Sequence, residues 1–183
     1  MFLRTLTFAG AMSLALLATL LLTSCRVMKD PVPDATATPE ISAVDANSPS
    51  LSLKSLQDGK TVSLADFHGR VVLLDFWATW CPPCRASLPH TQALSQSDDV
   101  KSGKLAVLAV NLREDPATIR SFMERNKFSF PVLLDPAGTS LEQFNADGIP
   151  TFVIIGRNGQ VAWQQTGFNE ERLSRALQDA LGK

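Results

Sequence analysis

Two cysteines, Cys81 and Cys84, stand in a C-x-x-C spacing just past the run Val71-Val72-Leu73-Leu74-Asp75-Phe76-Trp77. The run is apolar except for Asp75, as expected of a strand buried on both faces. Pro82 and Pro83 follow the first cysteine. Proline presets the φ of a first helical turn, so a helix is expected to begin there and to run to about Gln96. The chain thus delivers two sulfurs from a buried strand to the start of a helix. They are close enough to close one small-loop disulfide or to be reduced to a dithiol. Two other uses of such a pair are a purely structural disulfide and half of a zinc site. Zinc needs about four ligands, no second C-x-x-C exists, and only His68 and His90 remain as partners. The pair therefore reads as redox-active.

The formal net charge of -1 offers no basic footprint for nucleic acid. Three cysteines leave an odd one, Cys25. It follows a short n-region with one positive charge, Met1 to Arg4, and an uncharged apolar run, Leu6 to Leu22. That run is shorter than the ~20 residues a spanning helix needs. The layout is that of a secretory signal peptide. Leu22-Thr23-Ser24-Cys25 resembles a bacterial lipobox, with Thr23 and Ser24 as tolerated members. That resemblance implies cleavage before Cys25 and a diacylglycerol on its thiol. The alternative is an uncleaved signal anchor with Cys25 as a bystander. Both put the chain on the outer side of a membrane, in the periplasm if the cell is Gram-negative. Val27 to Ser50 is rich in Pro, Ala, Thr, Asp and Ser and has no aromatic residue. Such a segment buries too little surface to offset its ordering entropy and reads as a tether. The expected organisation is a signal peptide over 1–24, a lipid-anchored linker over 25–50 and one domain over 51–183.

Within that domain, Leu51-Ser52-Leu53 and Thr61-Val62-Ser63-Leu64 alternate around Asp58-Gly59, which predicts a β-hairpin. Ala65 to Arg70 reads as a short connection. Leu105 to Val110 reads as a second buried strand, and Asp115-Pro116 as the cap and first residue of a helix reaching about Asn126. Arg113-Glu114-Asp115 reads as a solvated loop and helix start. Pro89 should kink the first helix. Short strands are expected at Val132 to Leu134, Thr151 to Ile155 and Val161 to Gln165, with a short helix over Ser140 to Asn145. A terminal helix over Asn169 to Leu181 presents Leu173, Leu177 and Leu181 at a spacing of four. Alternating strands and helices closed by a hairpin and a helix specify an α/β fold, with helices covering a mixed central β-sheet.

Trp80-Cys81-Pro82-Pro83-Cys84, the preceding Asp75-Phe76-Trp77-Ala78, Pro89 in the helix and Gly148-Ile149-Pro150-Thr151 before a strand together resemble the thioredoxin superfamily. The hairpin start, and a separation of Cys84 from Pro150 longer than thioredoxin's, resemble its TlpA/ResA-like branch. That branch carries an extra strand-helix segment, here expected over Asn111 to Pro131. The resemblance implies a thioredoxin-like fold and extracytoplasmic thiol-disulfide exchange with disulfide-containing proteins. It implies no metal and no organic cofactor, and re-reduction by a membrane thiol carrier of the DsbD or CcdA kind. Oxidase, isomerase, peroxide-reducing and non-catalytic client-holding roles use the same fold.

Residue roles follow. Cys81, at the positive end of a helix, is the expected nucleophile, since a thiolate is stabilised there. Cys84, one turn in and more buried, is expected to resolve the mixed disulfide. Pro82 and Pro83 remove two amides from the vicinity of the thiolate and leave those of Cys84 and Arg85, which predicts a reductant rather than a strong oxidant. Asp75, buried in the strand, should have a raised pKa and take the proton from Cys84; thioredoxin has an aspartate at the matching position. The resemblance makes Pro150 a cis-proline, which leaves the Ile149 backbone free to pair with an extended substrate. Trp80 is expected at the exposed rim, Phe76 in the core, and Trp77 in either place. His68 and His90 carry no assigned role. In one respect the chain departs from the branch. Ser87 stands where a glutamate follows the second cysteine in many members, which puts a specialised part in cytochrome c maturation in doubt.

Overall fold

The computed structural model describes residues 49–183. The signal peptide, the Cys25 anchor and the tether up to residue 48 lie outside the described residues. Seven strands form one mixed sheet in the order β2-β1-β5-β4-β3-β6-β7. β1 (Ser52–Ser55) and β2 (Thr61–Ser63) are the antiparallel hairpin expected from Asp58-Gly59. Gly59 takes a φ of 71°, and Asp58 accepts a hydrogen bond from the Lys60 amide. A left-handed turn residue of this kind favours glycine, which has no Cβ to clash.

β3 (Val71–Trp77) is central, and all seven of its residues are buried. It runs parallel to β4 (Leu105–Leu112) and antiparallel to β6 (Thr151–Ile155). The two-residue period of a strand sorts its side chains. Val72, Leu74 and Phe76 join Val110, Leu112, Leu141 and Phe144 on one face. Val71 and Leu73 pack with Leu173, Leu177 and Leu181 on the other, and Trp77 packs there with Leu88, Ile119 and Phe122. Asp75 shares the parity of Leu73 and Trp77. It is therefore the one ionisable group β3 points toward the helices.

Those helices are α1 (Pro82–Ser95), α3 (Pro116–Asn126) and α4 (Glu170–Leu181). Asp115 caps α3 by accepting from the amides of Ala117 and Thr118, with Pro116 in the first turn. Asn169 caps α4 by accepting from Arg172, and Gly182 ends it at a φ of 75°. Pro89 lies inside α1, which stays continuous from Pro82 to Ser95. β5 (Val132–Asp135) pairs parallel with β4 and antiparallel with β1. The segment added after β4 is thus helix α3 followed by strand β5, and its strand lies just beyond the stretch expected from the sequence. β7 (Val161–Thr166) closes the far edge.

Three local features have local causes. Within the short connection between β2 and β3, Leu64–Phe67 forms a 3-10 turn, because Ser63 and Asp66 form a reciprocal capping box. A one-turn helix, α2 (Asp98–Lys101), occupies a stretch too short to show a helical period. Ser140–Phe144 is a 3-10 turn that places Leu141 and Phe144 against the sheet. No helix among the described residues is long and apolar enough to cross a membrane.

Candidate active site

β3 ends at Trp77, and the chain turns through Ala78, Thr79 and Trp80 before Cys81 caps α1. Cys81 has extended backbone angles, as an N-cap residue does, and Pro82 and Pro83 form the first turn. Cys81 and Cys84 are joined in a disulfide, with Cα atoms 5.3 Å apart. The Cys84 amide donates to Cys81 Sγ at 3.2 Å. The Arg85 amide donates instead to the Cys81 carbonyl at 3.0 Å. Of the two amides left by the prolines, then, only one reaches the sulfur. Cys84 is 0% exposed and Cys81 only 2%, so the expected difference in cover between the two sulfurs is small in the disulfide form. Trp80 beside them is 65% exposed, whereas Phe76 and Trp77 are fully buried. Pro82 and Pro83 are exposed.

The Ile149–Pro150 peptide is cis. The Ile149 carbonyl oxygen lies 3.8 Å from Cys81 Sγ. This contact becomes a hydrogen bond only when Cys81 carries a thiol proton. The loop is held from behind. Thr151 Oγ1 donates to the Gly148 carbonyl at 2.7 Å, and the Gly167 amide donates to the Pro150 carbonyl at 2.7 Å. A groove of about 600 Å³ opens beside it, with Trp80, Leu112, Arg113, Leu141, Ala146 and Ile149 among its walls. The topology therefore brings together Trp80, Cys81 and Ile149 from segments far apart in sequence.

Asp75 lies at the centre of the sheet, 0% exposed. Its Oδ2 accepts from Thr91 Oγ1 at 2.6 Å, and its Oδ1 is buried without a partner. Burial pushes its carboxyl up to about 7, against a smaller pull in the other direction from the Thr91 hydrogen bond. Thr91 sits seven residues along α1 from Cys84, about 10 Å at the helical rise. Cys84, Ser87, Leu88 and Thr91 form the buried stripe of α1. Ser87 turns its hydroxyl to the Cys84 carbonyl at 2.8 Å and supplies no acid.

Two participants were missed in the sequence. Thr91 carries a readable signal, since its spacing from Cys84 puts both on one helical face. Glu114 does not. Instead of belonging to a solvated loop, it is half-buried and bonds the Thr79 amide and hydroxyl and the Asn111 side-chain amide. Asp115 is the helix cap that was expected. His68 is exposed, and His90 packs against Phe168 at the α4 end of the molecule.

A cysteine pair capping a helix that leaves the middle of a mixed sheet, opposite a proline loop, defines a thioredoxin-like domain. The Redoxin family profile matches residues 29–180. The chain is 33% identical over 137 residues to the thiol-disulfide oxidoreductase ResA of Geobacillus kaustophilus, covering 74% of this chain and 77% of that one. It is 29% identical over 116 residues to ResA of Halalkalibacterium halodurans, a match covering 63% of this chain and just under two thirds, 65%, of that relative. Among solved structures, the exposed lipoprotein thioredoxin Etrx1 of Streptococcus pneumoniae superposes with a TM-score of 0.62 at 30% identity, over 73% of this chain and 98% of that one. The chain belongs to the Redoxin family, as a TlpA/ResA-like member of the thioredoxin superfamily.

Proposed function

We propose that this protein is an extracytoplasmic thiol-disulfide oxidoreductase that reduces disulfides in other envelope proteins. The observation that carries the reading is the convergence at one sulfur. Cys81 Sγ receives the Cys84 amide at the head of α1, faces the Ile149 carbonyl, and has Cys84 already bonded to it.

In the reaction, the Cys81 thiolate attacks one sulfur of the substrate disulfide. The substrate S–S bond breaks, a Cys81–substrate disulfide forms, and one substrate thiolate leaves and takes up a proton. Cys84 then gives its proton to a base and attacks Cys81 Sγ. The mixed disulfide breaks, the second substrate sulfur leaves as a thiolate and takes up a proton from water or from the protonated base, and the Cys81–Cys84 disulfide forms. Two electrons pass from the protein dithiol to the substrate. Asp75 is the base. It is buried, its carboxyl is raised to about 7, and Oδ1 is the oxygen left free to accept a proton. A base with a pKa near the working pH is the most effective proton acceptor. Trp80, Pro82 and Pro83 form the apolar rim a partner meets. Ile149 and Pro150 present backbone to an extended segment, in the manner of strand addition.

The protein is oxidised by each turnover and has to be reduced again, which a membrane thiol carrier of the DsbD or CcdA kind would accomplish. Cleavage before Cys25 and lipidation of its thiol would hold residues 51–183 at the membrane through the 25–50 tether. Several acyl chains are needed for this, since one anchors only marginally. Arguing for the anchor are the lipobox-like Leu22-Thr23-Ser24-Cys25 and the lack of a partner cysteine for Cys25.

Insulin reduction by the full chain tests the activity, and the Cys81→Ser variant should abolish it; retained turnover in that variant would remove Cys81 as the nucleophile. The direction is tested by equilibrating the couple with glutathione. A potential near thioredoxin's, about −270 mV, supports a reductant, whereas one near about −120 mV makes the protein a disulfide donor. Mass spectrometry of the membrane fraction checks the anchor. An unmodified Cys25 or a retained Met1 sinks it.

A further inference from the structure

Glu114 lies in neither the C-x-x-C helix nor the proline loop, yet both its carboxylate oxygens are committed to the approach to Cys81. The Thr79 amide donates to Oε2 at 2.7 Å, and the Thr79 hydroxyl donates to Oε1 at 2.5 Å. The Asn111 side-chain amide donates to Oε2 at 2.8 Å. The two groups on Oε2 can only donate, which leaves that oxygen no place for a proton of its own. The arrangement fits an ionised carboxylate. Among the described residues no basic side chain pairs with it. Its charge is therefore held by dipoles and not neutralised. Thr79 is two residues before Cys81, a stretch that spans at most about 7 Å. The carboxylate thus stands within about 10 Å of the Cys81 backbone by the same measure.

We propose that Glu114 is a positioning residue of the dithiol site, clamping the Thr79–Trp80–Cys81 turn and keeping an unpaired negative charge beside Cys81. This rests on the redox reading above. The clamp ties the turn after β3 to the end of β4 and the start of α3, so the added segment has a direct hold on the site. The charge opposes the head of α1. A nearby negative charge disfavours a second one, here the Cys81 thiolate. A less stable thiolate weakens the dithiol relative to the disulfide, which makes the couple more reducing. Pro82 and Pro83 act in the same direction by withholding amides.

The test titrates the Cys81 thiolate by its ultraviolet absorbance in the reduced full chain and equilibrates the same chain with glutathione buffers. Glu114→Gln keeps the shape and removes the charge. It should raise the acid dissociation constant of Cys81 on the order of three- to tenfold, the size expected for one charge at this range in a partly exposed site. The equilibrium should move by a similar factor toward the dithiol. Wild-type values for both, with only a lower melting temperature, would make Glu114 structural and overturn the proposal. If Glu114→Gln does not fold, Thr79 carries the test. Thr79→Val should lower kcat/KM for a disulfide-containing protein several-fold, and Thr79→Ser, which restores the hydroxyl, should recover most of the loss. Equal values for the two overturn the clamp. A wild-type chain that neither reduces insulin nor comes to equilibrium with glutathione would instead sink the redox reading itself, and the role of Glu114 with it.

Discussion

Two aspartates are buried in the same sheet, one in its central strand and one where a strand gives way to a loop, and they are treated in opposite ways. Asp135, at the end of β5, is 3% exposed. Its Oδ1 accepts from the Gly138 amide, and its Oδ2 accepts from the Ser140 amide and hydroxyl. Asp75, in the middle of β3, is 0% exposed and has one hydrogen bond, from Thr91. Asp135 sits where the chain turns, and a turn offers free amides. Asp75 sits inside a ladder whose amides are already used by β4 and β6. A carboxylate supplied with donors is a fastener of the loop that follows it. One left short of donors holds its proton near neutral pH and is available for chemistry. The difference arises from backbone position, since the residue type and the burial are nearly the same.

The largest effect should come from removing the satisfied group. Asp135→Ala strands the Ser140 amide and hydroxyl and leaves the Gly138 amide only the Asp135 carbonyl, and each hydrogen bond to a charged group contributes roughly 1.5–3 kcal/mol. A loss on the order of 5 kcal/mol is expected in denaturant unfolding, with the activity per folded molecule unchanged. If the loss were under about 1 kcal/mol, the fastener role would be gone.

Asp75→Asn should do the reverse. In the wild type the folded carboxyl titrates near 7, above its unfolded value of about 3.9. Between those two values the unfolded chain releases a proton that the folded one keeps. Wild-type stability therefore falls as pH rises from about 4 to about 7 and then levels off. The contribution of this one group is at most about 4 kcal/mol. Unfolding of Asp75→Asn across pH 4–8 should lack that decline, and its release of mixed disulfides at neutral pH should slow. A variant with the wild-type slope and the wild-type release rate would mean that Asp75 neither titrates there nor accepts the proton.

Thr91→Val should have the smallest effect. The Thr91 hydrogen bond lowers the Asp75 carboxyl against its burial, so its loss should push the group further up. The alkaline shift in the pH dependence of insulin reduction should be about one unit or less, the equivalent of one hydrogen bond at roughly 1 kcal/mol. A shift toward acid would reverse the assigned direction.

The contrast was only half legible in the sequence. Asp75 stands out as a lone charge in an apolar run, and burial on both faces follows from that run. Cys81 and Cys84 were placed by their spacing and the prolines after Cys81, and the strand, hairpin and terminal-helix positions followed from local periodicity. Thr91 required reading the buried stripe of α1 forward by two turns. Glu114 was out of reach, because its partner Thr79 is 35 positions away and nothing local separates it from an acid preceding a helix cap. Asp135-Pro136-Ala137-Gly138 does carry a turn signal. Whether that turn lies under the molecule or on its surface depends on β5 joining the sheet, which is a tertiary fact. The short α2 and the 3-10 turn at Leu64–Phe67 fall below the length at which a period can be counted.

The cover over the two sulfurs has a kinetic meaning. With Cys81 at 2% and Cys84 at 0% exposure, the closed disulfide shows almost no surface, while the neighbouring Trp80 shows 65% of its own. A small soluble thiol finds an apolar side chain and little sulfur. A polypeptide that settles on Trp80 and displaces the loop gains contact area before any bond is made. The expected consequence is discrimination by size, with slower exchange toward glutathione than toward a macromolecule able to grip the rim, which the ratio of the two exchange rates checks.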